Sequence, residues 1–269
     1  MLRQAAVAGY FYKGSSAALK DQVERFLAPG VKKIKALGIV SPHAGLVYSG
    51  SVAGAVYSSI ELPGTFILIG PYHTGLGEPV SLMAKGEWET PLGTVRIDEE
   101  LAAAILSRSR LIHEDTLAHL KEHSLEVQLP FIQYLKKEFM IVPIQMMDTR
   151  LETCLALGNA VAEAVRERAK EASVLIVASS DMSHYISAEA AKKKDHKAIQ
   201  RILDLDAQGL YYTVRDEDIT MCGYGPAVAM LTACKALGAK KAELIKYTNS
   251  GEVSGDYDQV VGYAGIVVS

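Results

Sequence analysis

Five side chains able to do chemistry follow apolar runs or stand in a glycine-rich turn. Gly38-Ile39-Val40 leads into Ser41-Pro42-His43, and Ile67-Leu68-Ile69 leads into Gly70-Pro71-Tyr72-His73. Leu175-Ile176-Val177-Ala178 leads into Ser179-Ser180-Asp181-Met182-Ser183-His184. Neutral imidazole binds zinc, iron and copper, and a catalytic metal site combines two or three such ligands with an open position. His43 and His73 stand just beyond Pro42 and Pro71, in rigid turns that would hold a ring still. Each could equally cap its strand by bonding nearby backbone. Asp181 and His184 are close enough for the carboxylate to orient an imidazole that moves protons, as in acid and base pairs. The alternative is a loop capped by Asp181 with Ser183.

The fifth is Cys222, in Met221-Cys222-Gly223-Tyr224-Gly225-Pro226. Pro226 suits the first turn of a helix, which places Cys222 just ahead of a helix N-terminus, where partial positive charge lowers a thiol pKa. A thiolate there could be the third metal ligand or a nucleophile. Cys154 and Cys234 fall in helical apolar patterns and read as small core residues. His123 lies in Glu122-His123-Ser124-Leu125-Glu126-Val127-Gln128-Leu129-Pro130-Phe131, where Leu125, Leu129 and Ile132 trace one apolar face of what reads as a surface helix. Its polar neighbours Glu122, Glu126 and Gln128 could face either solvent or the site, and His123 could touch substrate or help orient a metal-bound imidazole. His113, His119 and His196 read as surface residues. Tyrosine outnumbers phenylalanine 13 to 5, and Tyr48, Tyr72, Tyr185 and Tyr224 lie in the motif segments. They could line a pocket for a small-molecule or peptide ligand.

Positioning these groups requires elements that end near one another. Short apolar runs read as strands over Ala36–Val40, Thr65–Ile69, Phe139–Met146, Val174–Ser179, Ala242–Tyr247 and Val260–Val268. Helical spacing covers Ala17–Leu27, Glu99–Ser107, Leu151–Ala169, Ala188–Leu205 and Pro226–Leu237. Val80–Lys85 and Gly93–Ile97 read as a small antiparallel flap. This alternation predicts one α/β domain over residues 1–269, a three-layer αβα sandwich with a mostly parallel or mixed sheet. In such a sheet the strand carboxyl ends lie along one edge, where ligands bind. His43, His73 and Asp181 with His184 would therefore meet there.

Composition narrows the partners. The chain has 28 basic and 31 acidic residues, a net charge of -3, which leaves no surplus to hold a nucleic-acid backbone or an anionic membrane. No apolar run approaches the roughly 20 residues of a membrane span, and the first residues do not read as a signal peptide. Three cysteines are too few and too scattered for a disulfide framework. A reduced, cytoplasmic protein is expected. The Lys192-Lys193-Lys194 run reads as a solvated helix face.

Taken in order, the motifs resemble those of the Memo family, known in microbes as protein B of the AmmeMemoRadiSam system. They are Ala6-Val7-Ala8-Gly9-Tyr10-Phe11-Tyr12, Ser41 to Gly50, Gly70 to Gly75, Glu122 to Phe131, Ser180 to Tyr185, Cys222 to Pro226 and Tyr247 to Gly255. Ala5 and Lys13 depart from the proline common there. The resemblance implies a fold like that of class III extradiol dioxygenases of the LigB type. It also implies a metal pocket of His43, His73 and Cys222 with Asp181 and His184 alongside, holding iron or copper, with zinc as a further option. Those dioxygenases have a carboxylate as third ligand; Cys222 stands in that place, so ring cleavage is not implied. The expectation is a redox enzyme in which His184 moves protons and Asp181 orients it. A metal-independent hydrolase with Cys222 as nucleophile, and a module binding (phospho)peptide or protein, are the alternatives. A radical SAM protein and an Ammecr-type protein are partners implied by the resemblance alone.

Overall fold

The computed structural model describes residues 1–168 and 173–269. In chain order its strands are β1 (Leu2–Arg3), β2 (Gly38–Ser41), β3 (Thr65–Pro71), β4 (Val80–Leu82), β5 (Glu87–Thr90), β6 (Gly93–Ile97), β7 (His113–Glu114), β8 (Met140–Met146), β9 (Val174–Ser179), β10 (His184–Ile186), β11 (Ala242–Asn249) and β12 (Val260–Val268). The α-helices are α1 (Ser16–Glu24), α2 (Leu46–Ser58), α3 (Glu99–Leu106), α4 (Leu129–Leu135), α5 (Leu151–Arg168), α6 (Ala188–Leu203), α7 (Ala207–Asp216), α8 (Tyr224–Ala236) and α9 (Gly251–Ser254). Ala169, expected to end the helix from Leu151, lies outside the described residues.

Strands β8, β3, β9 and β2 pair side by side in parallel, and β12 and β11 extend the sheet antiparallel beyond β2. Strand β3 is buried along its whole length, so it reads as a continuous apolar run rather than an alternating one. Register shows what covers each face. Gly38 pairs with Val268 and Val40 with Ile266. A Cβ at Gly38 would stand 2.6 Å from Met230 and Cys234 of α8. One at Gly265, next to Ile266 and so on the other face, would stand 2.3 Å from Val56 of α2. Helix α8, with α5, α3, α6 and α7, thus covers one face, and α2 with α4 and α1 the other. The architecture is the three-layer αβα sandwich with a mixed sheet.

Three local departures have physical causes. The flap is not a separate excursion: β4 pairs with the end of β8, β6 joins β8 in parallel, and β5 fills what reads as their connection. The signal was the alternation Glu87-Trp88-Glu89-Thr90, in which Trp88 and Thr90 face inward. Helix α2 falls in a segment rich in glycine, serine and valine, whose weak propensity conceals it. Burial of Val52, Val56 and Tyr57, on the order of 1.5–3 kcal/mol each, outweighs that penalty. The segment after Glu122 is not a surface helix. It is a 3-10 turn over Glu126–Gln128 running into α4, and Ser124, Glu126 and Gln128 are as buried as its leucines.

Those buried polar groups are tied to the start of the chain. Arg3 is fully buried; its Nε donates to His119 O at 2.9 Å, one terminal nitrogen donates to Glu122 O at 2.6 Å, and the other pairs with Glu126. Its guanidinium lies 4.3 Å from the Trp88 ring centroid. Glu126 also accepts from Ala6 N at 2.8 Å, Val7 N at 3.1 Å and the Tyr12 hydroxyl. His119 is therefore not a surface residue. It is wholly enclosed, its Nε2 lies 3.2 Å from Ser81 Oγ, and burial with the nearby Arg3 charge holds its pKa down to about 3.

Candidate metal centre

Strand β2 delivers His43, β3 delivers His73, β9 delivers Asp181, and the turn before α8 delivers Cys222. The side chains expected from separate strands do meet. The ligand atoms of His43, His73 and Cys222 all lie within 4.8 Å of one another. Cys222 Sγ is 3.3 Å from His43 Nε2. Two ligands on one tetrahedral ion, with bonds of 2.0 and 2.3 Å, would be roughly 3.5 Å apart. The spacing is that of a ligand edge.

Hydrogen bonding sets which ring nitrogen each histidine offers. His43 Nδ1 lies 2.9 Å from Ser179 Oγ. That hydroxyl donates its one proton to Ser124 O at 2.6 Å and accepts from Gln128 Nε2 at 2.8 Å, so toward His43 it can only accept. His43 consequently carries its proton on Nδ1 and turns a bare Nε2 to Cys222. His73 Nδ1 donates to Glu122 Oε1 at 2.9 Å. His184 Nδ1 donates to Thr220 O at 2.8 Å, a carbonyl that can only accept. All three rings are set with Nε2 free, the arrangement that outer hydrogen bonds impose on metal-binding histidines.

A second cluster, His73, Glu122 and His123, also has ligand atoms within 4.8 Å of one another. It suits an ion less well. The His73 and His123 rings stack at 4.7 Å with planes only 26° apart, so their in-plane lone pairs run nearly side by side. The His43 and His73 planes stand at 72°, which allows convergence. Glu122 is also already occupied: Oε1 accepts from His123 N and Ser124 N, each at 2.9 Å, and Oε2 from His73 N at 2.6 Å. Burial raises its pKa, but these bonds and the His73 partner outweigh that and hold it down to about 2. Glu122 is the carboxylate that orients His73, and it bonds His73 and His123 into one unit. Glu122→Gln puts an amide NH2 where one oxygen accepts N–H groups. It is expected to lower metal affinity by roughly 10–100-fold, read by chelator competition, with the melting curve as control for folding.

Electrostatics departs from expectation at Cys222. Burial, then the Asp181 charge, pushes its thiol pKa up, so position ahead of α8 does not make a thiolate in the metal-free protein. Burial likewise keeps His43 well below the usual imidazole range. The pair is a neutral thiol facing a neutral ring. A Cβ at Gly223 would stand 2.3 Å from Ser179 O, so glycine there lets the Cys222 turn close onto the end of β9.

The hydrogen bond expected between Asp181 and His184 is not made. Asp181 Oδ1 accepts from His43 N at 2.8 Å and Ala44 N at 3.3 Å, so the carboxylate braces the turn that carries His43. Thr220 orients His184 in its place. Tyr185 is 72% exposed, in a left-handed conformation (φ 58°), with its ring edge-on to His184. Tyr48 is half exposed. Tyr72 is buried, with its hydroxyl unbonded among the described residues. His123 lies edge-on to His43 and against Phe11. Tyr263, on β12, was not marked by any motif: its hydroxyl is kept protonated by burial and by Asp181, with Tyr48 and Tyr185 adding to the effect. Ser179 and Thr220 escape assignment from sequence, and Glu122 and Gln128 stay open there between solvent and the site, because their partners are distant along the chain. Cys154 and Cys234 are buried in helices, as expected.

The fold and this cluster define a class: a three-layer α/β protein with imidazoles and a thiol gathered at the carboxyl ends of its parallel strands. The chain belongs to the Memo family, whose description is Memo-like protein and whose family model matches residues 3–267. A MEMO1 family protein of Methanothermobacter thermautotrophicus is 45% identical over 98% of this chain and 99% of its own length. One of Methanosarcina mazei is 45% identical over 99% of each chain. One of Aquifex aeolicus is 44% identical over 99% of this chain and 98% of its own. Among solved structures, an uncharacterized protein of Escherichia coli K12 matches with a TM-score of 0.56 and 11% identity, covering 87% of this chain and all of that one. The likeness there is one of fold. No helix among the described residues is long and apolar enough to cross a membrane.

Proposed function

We propose that this protein binds a redox-active transition metal, iron or copper, through His43, His73 and Cys222 and acts as an oxidoreductase. The observation that carries the reading is the shared tautomer: His43 and His73 each have Nδ1 bonded to an acceptor and Nε2 free, beside a thiol at ligand-edge distance. When bound, such an ion supplies one-electron chemistry at its open positions. Sulfur in the set favours copper(I), zinc or a differently poised iron, and a third ligand that is not a carboxylate argues against ring cleavage. Asp181 braces the His43 turn, and His184 offers a bare Nε2 for moving a proton. Cys222 as a hydrolytic nucleophile is less well supported, because burial holds its thiol protonated and the imidazole it faces at 3.3 Å is His43 rather than His184.

Elemental analysis of protein purified without oxygen tests the reading. About one equivalent of iron or copper is expected, or tight uptake of one when the ion is added. Protein that carries neither and binds neither would overturn it.

A further inference from the structure

The turn from Asp181 to His184 makes no backbone hydrogen bond to itself through its N–H groups. They are taken by three other parts of the chain, the loop of Thr220 and Cys222, strand β12 and helix α6. Asp181 N donates to Cys222 Sγ at 3.3 Å, Met182 N to Gly262 O at 2.8 Å, Ser183 N to Asp195 Oδ1 at 3.0 Å and His184 N to Thr220 Oγ1 at 2.7 Å. A turn held this way has no shape of its own; its partners dictate it.

Of those partners Asp195, on α6, is the one carboxylate. It is fully buried, no ion pair to it is found among the described residues, and burial raises its pKa. Its other oxygen accepts from the Tyr247 hydroxyl at 2.7 Å. A buried carboxylate with two hydrogen bonds and no cation is a costly way to satisfy one amide. Strand β12 explains the need. Gly262 bonds Met182 N and also donates to Ser183 O at 2.9 Å, which directs Ser183 N away from the sheet toward α6, where no strand follows. Asp195 stands in for that missing strand. A Cβ on Gly262 would lie 2.1 Å from Asp195 Oδ2, so the glycine makes room for the carboxylate.

We infer that Asp195 is a positioning residue for the metal pocket: through Ser183 it fixes how the turn presents Asp181 toward the His43 turn and His184 toward the site. It touches neither metal nor substrate, and its importance to chemistry rests on the function proposed above.

The test reads His184 in metal-free protein, so it succeeds or fails independently of metal binding. Nitrogen-15 NMR of the imidazoles should show His184 as the Nδ1–H form in wild type. Asp195→Ala should convert it to a mixture of tautomers, whereas Asp195→Asn, which keeps an oxygen for Ser183 N, should restore the wild-type signal. A purely structural role would instead lower stability while leaving the His184 tautomer unchanged in the folded fraction, and that result would overturn the inference. Should Asp195→Ala fail to fold, amide exchange of wild-type protein decides. Ser183 N–H is expected to exchange as slowly as the amides of β9, and rapid exchange would sink the proposal. In cobalt-loaded protein the sulfur-to-metal absorption band should survive Asp195→Ala; its absence from wild type would count against the metal reading alone.

Discussion

Cys222→Ser is expected to abolish tight metal binding while leaving the protein folded. The change is nearly isosteric, but it replaces a soft sulfur donor, about 2.3 Å from a zinc-like ion when bound, with a hydroxyl that stays protonated and binds poorly. Losing an outer partner of a ligand costs roughly 10–100-fold in affinity, so losing the ligand itself is expected to cost more than about 100-fold on the same scale. Folding should change little, because the thiol's polar contacts are the Asp181 amide at 3.3 Å, the His43 imidazole at 3.3 Å and the Asp181 carbonyl at 3.7 Å, and a hydroxyl can accept from the first and donate to either of the others as a thiol does. Cys234→Ser is the control. That sulfur is wholly buried beside Met230, so a hydroxyl there should lower stability and leave metal affinity alone. Chelator competition and thermal melting on both variants check the pair. Unchanged affinity in Cys222→Ser would remove the cysteine from the ligand set.

The second large effect lies far from the pocket in sequence. Arg3→Met keeps most of the side-chain volume against Trp88 but strips Glu126 of its cation in a fully buried setting. Breaking such a pair from one side costs about 3–5 kcal/mol. The lower part of that range is expected, since Ala6 N, Val7 N and Tyr12 still donate to Glu126. For a chain of this size that corresponds to a drop of roughly 10 °C in melting temperature. Adding Glu126→Gln should recover part of the loss by removing the orphaned charge, and denaturant unfolding of the single and double variants measures it. Because Arg3 also holds Glu122 O, the single variant should loosen the loop that orients His73.

The sheet was legible because its central strands are buried on both faces. Thr65–Pro71, Met140–Met146 and Val174–Ser179 are apolar runs that need no partner to be recognised, and His43, His73 and Asp181 each come just after a run of this kind. Cys222 was legible from its glycines and from Pro226. What could not be read locally was the bonding between segments. Ser179 and Gln128 are ordinary polar residues until the fold places them 2.8 Å apart behind His43, and Glu122 acquires its role only beside a histidine 49 positions earlier. The same limit explains His119 and the stretch after Glu122. Polar residues suggest solvent unless a partner is known, and here the partner, Arg3, is more than a hundred residues away. Helix α2 was obscured differently, by a composition that only tertiary packing makes helical.

The wide separation of the ligands along the chain has a bearing on the order in which the centre is made. His43 and Cys222 are 179 positions apart, with His73 between them, and none of the three shares a strand or helix with another. In a zinc finger the ion gathers neighbouring ligands and folds the chain around itself. Here closing so long a loop through one ion would cost entropy before any sheet contact offset it. The parallel strands must pair first, and the ligands come together as a by-product. Metal would then enter a finished site, so loading becomes a question of delivery and exchange where the partly exposed His73 meets solvent, and an empty protein should persist as a folded species ready to receive its ion.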